Sequence, residues 1–133
     1  MVTSGKKRES LLGNATMHLY PQIKDLPELL NIIDFIGTEI STSKQKKFNL
    51  ITFIDTPGLK DCMDYHFDIN ATISRLSDIS DLILVFMDPI GQACAMTLDI
   101  VEKINEKYSS KIRFNLAKAD EAGSDTDRQV KQN

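Results

Sequence analysis

Two short polar segments carry the side chains of this 133-residue chain that best suit ligand chemistry. The first, Asp55-Thr56-Pro57-Gly58, directly follows an apolar, β-branched run. The second, Lys118-Ala119-Asp120, follows another short run of strand-forming residues. A carboxylate at the carboxyl end of a buried strand lies where open α/β sheets bind ligands, and a glycine three residues later permits close approach of the backbone to a phosphate. The pattern therefore predicts a phosphate-binding turn at residues 55–58.

The tetrapeptide also has a purely structural interpretation as a turn, because proline presets φ and glycine tolerates positive φ. Taken alone, the four residues fit both interpretations. The second segment favours the ligand interpretation, since it follows the first after one helix, one strand and one helix in the expected order of elements. Two polar turns at the ends of two strands form one expected pocket, lined by the carboxylates of Asp55 and Asp120.

The elements that would position these segments alternate between strand and helix. This alternation is typical of right-handed βαβ units on a parallel sheet. Periodicity predicts a buried strand over Phe48–Ile54, a strand covered on both faces over Leu82–Met87, and a strand over Lys111–Leu116. Asp68 is expected to cap a helix whose apolar face contains Ile69, Ile73, Leu76 and Ile79. A further helix is predicted from about Ala93 to Lys107.

The flanking regions are less regular. We expect residues 1–9 to form an exposed arm, residues 10–120 the core of a single domain, and residues 121–133 a polar tail. Within the core, the sequence predicts a turn and a short extended segment over Ser10–Tyr20, a helix that opens at Asp25 and stops near Gly37, a short edge strand over Thr38–Ile40, and a loop over Leu59–Phe67.

Composition favours an ordinary globular chain, with 41% hydrophobic and 26% charged residues. The net charge of −3 argues against bulk electrostatic capture of nucleic acid. Cys62 and Cys94 are too few for a disulfide framework, and no signal-peptide pattern is present at the N-terminus, so a reducing, cytosolic setting is expected. His18 has no second ligand at usable spacing, which disfavours a histidine metal site.

Four segments together resemble, in order and spacing, the G domain of the EH-domain-containing ATPases of the dynamin superfamily and their relatives. The likeness extends over most of residues 10–125. The segments are Gly13-Asn14-Ala15, Ile54–Gly58, Ser80–Asp88 and Lys118–Asp120. The resemblance implies an α/β fold, a three-layer P-loop NTPase-like sheet with helices on both faces. It also implies binding of GTP or ATP with Mg²⁺, a cytoplasmic location and peripheral association with membranes.

The resemblance also implies roles for the individual residues. Asp55 would reach Mg²⁺ through water, Thr56 and Pro57 would shape the turn, and the backbone N–H of Gly58 would meet the γ-phosphate. In the second segment, Asp120 would accept two hydrogen bonds from a guanine edge. The aliphatic stem of Lys118 would lie along the base. Ala119 is the residue between Lys118 and Asp120 in this segment. The loop over Leu59–Phe67 would correspond to a mobile second switch, although a surface loop pinned by aromatic side chains explains its composition equally well.

The chain departs from the family pattern in two places. Ala117 stands where an Asn, Thr or Ser normally precedes the lysine. No Gly-x-x-x-x-Gly-Lys-Ser/Thr occurs, and Ser4-Gly5-Lys6-Lys7 echoes it without an expected strand before it or helix after it. The phosphate loop supplies N–H groups, a lysine and a Mg²⁺ ligand, so hydrolysis is not expected without it. We expect the first strand of the family sheet to be missing as well.

Three hypotheses follow. The chain is a GTP-binding, GTPase-like domain in which hydrolysis is lost or incomplete, with GTP favoured over ATP. Alternatively, it is a nucleotide-free G-domain remnant that acts as a protein-interaction module, including self-association through its open sheet. A third possibility is an incomplete and marginally stable product.

Overall fold

A computed structural model describes residues 1–24, 32–43, 45, 47–60, 64–88 and 95–118. The chain divides into two compact units, which are treated separately below. The first contains residues 1–58 and 65–75, and the second contains residues 59–64 and 76–133.

The described elements alternate between short strands and helices. In chain order they are β1 (Val2–Ser4), β2 (Glu9–Leu12), α1 (Asn14–Leu19), α2 (Pro21–Lys24), β3 (Gly37–Ser41), a 3₁₀ turn (Phe48–Leu50), α3 (Ile69–Ile79), β4 (Ile83–Met87), α4 (Ala95–Tyr108) and β5 (Ile112–Leu116). The chain is therefore mixed α/β, with small sheets and helices, as the coarse fold prediction requires.

The first unit contains a three-stranded sheet in the order β1-β3-β2. Strand β1 is parallel to β3, with Thr3 opposite Ile40, and β2 is antiparallel to β3. The strand predicted over Thr38–Ile40 is confirmed, but it is central rather than at an edge. The prediction that residues 1–9 form an exposed arm is wrong, because β1 pairs along β3 and the N-terminal ammonium group donates to Gly37 O at 2.6 Å.

The prediction of a buried strand over Phe48–Ile54 is also wrong. Its first three residues form the 3₁₀ turn, and the rest is extended with a single antiparallel bridge between Phe53 and Val2. Leu50 remains 75% exposed. A strand is buried where it lies within a sheet whose faces are covered by other elements. Here β1 provides one short neighbour, and no other described segment pairs with these residues.

Residues 10–20 do not form the predicted turn and extended segment. Strand β2 ends at Leu12, Gly13 adopts a positive φ of 49°, and helix α1 follows. Thr16 is buried and donates its hydroxyl to Leu11 O at 3.0 Å, which fixes the helix against the end of the strand. The helix predicted to open at Asp25 falls largely on residues 25–31, which lie outside the described residues.

Helix α3 has the predicted cap and apolar face. Asp68 Oδ1 accepts from the backbone N–H of Ala71 at 3.0 Å. Ile69 and Leu76 are buried, as expected from the three- and four-residue spacing. Polar Thr72 is also buried, and its hydroxyl donates to Asp68 O at 2.7 Å.

The second unit is built on the predicted strand-helix-strand segment. Strands β4 and β5 are parallel, with Val85 opposite Phe114, and α4 connects them. Ile100 and Ile104 form its buried face. The expectation that β4 is covered on both faces is wrong, because Leu84 is 47% exposed and Phe86 is 65% exposed. Only one strand, β5, pairs with β4 in the described part of the chain, and the face that carries Leu84 and Phe86 is exposed.

Candidate functional site

The predicted turn Asp55–Gly58 follows the bridge at Phe53, and its four residues adopt no helix, strand or hydrogen-bonded turn. All four of its residues are exposed. Gly58 O accepts a hydrogen bond from the hydroxyl of Tyr65 at 2.9 Å, which ties the turn to the start of the next described stretch. A Cβ added at Gly58 would meet no atom within 4 Å. The polypeptide alone therefore does not demand glycine here, and the turn is open to a ligand.

Asp55 supplies one exposed carboxylate to this turn. In the described ranges, no three His, Cys, Asp or Glu residues are grouped so that they could hold a metal ion. Mg²⁺ is commonly bound by one or two carboxylates together with substrate phosphates and several waters. One exposed carboxylate is enough for such an arrangement, in which phosphate and water provide the remaining ligands.

Lys118 lies two residues after Leu116, the carboxyl end of β5. The N–H of Ala117 donates to Met87 O at 2.9 Å, which extends the β4–β5 pairing to the last residue before the lysine. Lys118 has a positive φ of 51°, so the chain turns sharply there. Its Nζ lies 3.0 Å from Oδ2 of Asp88. Parallel pairing thus brings the ends of two strands together at one edge of the sheet. Ala119 and Asp120 lie outside the described residues.

Asp88 is a residue at this edge to which the sequence reasoning gave no role in the site. The sequence does contain a signal for this position. Asp88 comes directly after β4 and Lys118 comes two residues after β5, and parallel strands end at the same side of a sheet. The ion pair is partly exposed, since the side chain of Lys118 is 56% accessible and that of Asp88 is 40% accessible. Such a pair orients the lysine and adds little stability.

A second residue that sequence reasoning missed is Lys111, which stands just before β5. Its Nζ donates to Ser77 O at 2.7 Å and to Ser80 O at 2.6 Å, at the carboxyl end of α3. The same ammonium group lies 4.2 Å from the centre of the Tyr108 ring. Lys111 therefore joins the end of α3 and the end of α4 to the start of the strand that leads to Lys118.

The loop before α3 is held by aromatic contacts within the first unit. The ring of His66 stacks on Phe35 with centroids 5.7 Å apart, and Phe67 lies 5.4 Å from the same ring. These contacts favour the interpretation of residues 65–67 as a loop pinned by aromatic side chains. Cys62 and its neighbours 61–63 lie outside the described residues.

The segment Ser4-Gly5-Lys6-Lys7 has a different setting from the one expected. Strand β1 ends at Ser4 and so directly precedes Gly5, which makes the expectation of no preceding strand wrong. Strand β2, rather than a helix, follows it. The segment therefore lacks the helix N-terminus that a phosphate loop uses to bind anions.

Asp55 belongs to the first unit and Lys118 to the second. Each turn is thus described within its own unit, and the expectation that Asp55 and Asp120 line one pocket stays a prediction.

Searches with the sequence find no matching protein-family model and no matching curated protein.

Among the described residues, no helix combines the length and the apolar character needed to cross a membrane.

Proposed function

We propose that this chain is a nucleotide-binding, GTPase-like domain of the dynamin and EH-domain-containing type, in which hydrolysis is lost or incomplete. The proposed full architecture is the three-layer P-loop NTPase-like sheet with helices on both faces. The observation that carries the proposal is the parallel β4–α4–β5 unit with Lys118 at its carboxyl edge. Open α/β sheets bind ligands outside the carboxyl ends of their strands.

Lys118 and Asp120 would provide the contacts with the base. The Lys118 stem would lie against the flat face of the ring, and the Asp120 carboxylate would accept hydrogen bonds from two ring donors. An ionised acceptor that faces two donors forms a strong, directional pair. Asp88 would hold Lys118 in place, because its carboxylate already lies 3.0 Å from the lysine. Ala117 offers no polar side chain to brace this turn, which favours weak binding.

Residues 55–58 would provide the contacts with Mg²⁺ and the phosphates. Asp55 would hold the ion through water, and the ion would neutralise phosphate charge. Thr56 and Pro57 would set the shape of the turn. The backbone N–H of Gly58 would donate to the terminal phosphate, for which the open space around Gly58 leaves room. GTP is favoured over ATP, and association with membranes follows from the family resemblance alone.

Titration of the full chain with a fluorescent guanine nucleotide in the presence of Mg²⁺ tests this proposal. We expect saturable binding that weakens on chelation of Mg²⁺ and in Asp55→Ala and Asp120→Ala. Asp99→Ala is the matched control, because Asp99 pairs with Lys103 on the exposed side of α4 and lies in neither turn. Absence of saturable binding at millimolar nucleotide would overturn the proposal.

The second candidate function is a protein-interaction module that binds no nucleotide. It is favoured by the exposed apolar side chains of β4, Leu84 and Phe86, which share one face of a two-stranded sheet. Small isolated sheets of this kind gain stability from a further strand or a covering surface. Light scattering during size exclusion tests it: self-association that Leu84→Ser and Phe86→Ser abolish supports this role, and a monomer at all concentrations opposes it.

A further inference from the structure

A cleft of about 370 Å³ lies in the first unit, and no residue of the two polar segments discussed above lines it. Its volume is in the range of sites that hold small molecules, which extends from about 300 to 1,000 Å³. Apolar, hydroxyl and charged side chains all contribute to its lining. The lining residues are Thr3, Ser4, Gly5, Lys6, Lys7, Glu9, Leu19, Tyr20 and Ile40.

The charged part of the cleft favours an anion. Lys6 and Lys7 are exposed, and neither pairs with a carboxylate among the described residues. Glu9 contributes the single opposing charge to the lining. Two ammonium groups beside one carboxylate leave a net positive charge at the opening, which attracts an anionic group.

The apolar part of the cleft favours a ligand that also has an apolar body. Leu19, Tyr20 and Ile40 supply this part of the lining. Tyr20 is only 9% exposed, and its hydroxyl has no hydrogen-bond partner in the described part of the chain. The hydroxyl oxygen itself is buried, and a ligand acceptor that reached it would satisfy an otherwise unpaired donor.

The backbone fixes the shape of the cleft. The N–H of Gly5 donates to Ser41 O at 3.1 Å, which holds the turn after β1 against the end of β3. A Cβ at residue 5 would overlap Cγ2 of Ile40. Only glycine therefore fits beside Ile40 without a shift of the Ile40 side chain or of the backbone. The turn that carries Lys6 and Lys7 is therefore held close to the apolar lining.

We propose that this cleft binds a small organic anion, with a ring or short apolar chain against Tyr20 and Ile40 and a phosphate or carboxylate head at Lys6 and Lys7. This site is independent of the proposed nucleotide function, since neither Asp55 nor Lys118 lines it. Ligands with either head group would share one feature, an apolar body joined to an anionic head.

Amide NMR titration of the full chain tests the proposal with four probes: phenyl phosphate, benzoate, inorganic phosphate and phenol. We expect saturable shifts of the Gly5, Lys6 and Lys7 amides with phenyl phosphate or benzoate, at lower concentration than with either of the last two probes. Stronger binding of phenyl phosphate assigns the head to phosphate, and stronger binding of benzoate assigns it to carboxylate.

The double variant Lys6→Gln, Lys7→Gln separates this site from general attraction to lysines. We expect its affinity for the better probe to fall at least tenfold. The matched control, Lys60→Gln with Lys103→Gln, removes the same charge at exposed positions outside the cleft and should keep the wild-type affinity. Equal weakening in both double variants would overturn the proposal. The proposal would also be overturned if inorganic phosphate or phenol caused shifts as large as those with phenyl phosphate and benzoate. Absence of a saturable shift in the millimolar range would overturn it as well.

Discussion

Replacement of Lys111 by methionine tests how the second unit is held together. Methionine keeps an unbranched apolar stem and removes the ammonium group. Two short hydrogen bonds, 2.7 Å to Ser77 O and 2.6 Å to Ser80 O, would be lost in a partly buried place. A hydrogen bond to a charged group contributes about 1.5–3 kcal/mol, and water can replace part of that at a half-exposed helix end. We therefore expect the free energy of unfolding to fall by about 2–3 kcal/mol.

A further contribution comes from the ring of Tyr108, which lies 4.2 Å from the ammonium nitrogen. Cation–π contacts of this kind contribute about 0.5–1 kcal/mol at exposed sites. The expected fall in the free energy of unfolding, about 2–3 kcal/mol, includes this contribution.

Urea denaturation followed by circular dichroism measures the effect, provided that the transition is cooperative. The matched control is Lys103→Met, which removes an exposed ion pair with Asp99 between successive turns of α4. Pairs of this kind contribute about 0.3–0.5 kcal/mol. If Lys111→Met costs no more stability than Lys103→Met, the ammonium group does not join α3 to β5 as inferred here.

Three further substitutions test local features of the first unit and of α3 by the same denaturation assay. Tyr20→Phe should raise the free energy of unfolding by about 1 kcal/mol, because it removes a buried hydroxyl without a partner among the described residues. Asp68→Ala should lower it by about 1 kcal/mol, because the helix loses its cap. Lys47→Gly should raise it by about 0.5 kcal/mol, because Lys47 has a positive φ of 66°.

Each of these substitutions has a matched control. Tyr65→Phe removes a hydroxyl that donates to Gly58 O, so it should destabilise, whereas Tyr20→Phe should not. Asp64→Ala removes an exposed carboxylate outside the cap, and Lys60→Gly adds a glycine where φ is not positive. The inferences fail if Tyr20→Phe destabilises as Tyr65→Phe does, if Asp68→Ala matches Asp64→Ala, or if Lys47→Gly matches Lys60→Gly.

The features that sequence predicted correctly depend on neighbouring residues. The cap at Asp68, the stripe with Ile100 and Ile104, and the strand before Asp88 all follow from local spacing and turn chemistry. Parallel pairing of β4 with β5 also follows, because a connecting helix places two strands in the same direction.

The features that sequence missed depend on distant partners. Leu50 and Phe86 belong to apolar runs that resemble buried strands, yet burial requires a larger sheet and covering elements that local composition does not reveal. Val2 joins a sheet because β3 offers it an edge 37 residues later, opposite Glu39. Lys111 has no local motif, since its acceptors are carbonyl groups 31 and 34 residues away.

The central claim is that Asp120 reads a guanine base while Lys118 lies beside it. Asp120→Asn tests it directly, because an amide offers one donor and one acceptor where a carboxylate offers acceptors only. Guanine presents two donors at this edge, whereas xanthine presents one donor and one carbonyl acceptor. Calorimetric titration of both proteins with GTP and xanthosine triphosphate should show the wild type favouring GTP and Asp120→Asn favouring the xanthine nucleotide. Equal affinities of the two proteins for each nucleotide, or no heat of binding from either, would contradict the account.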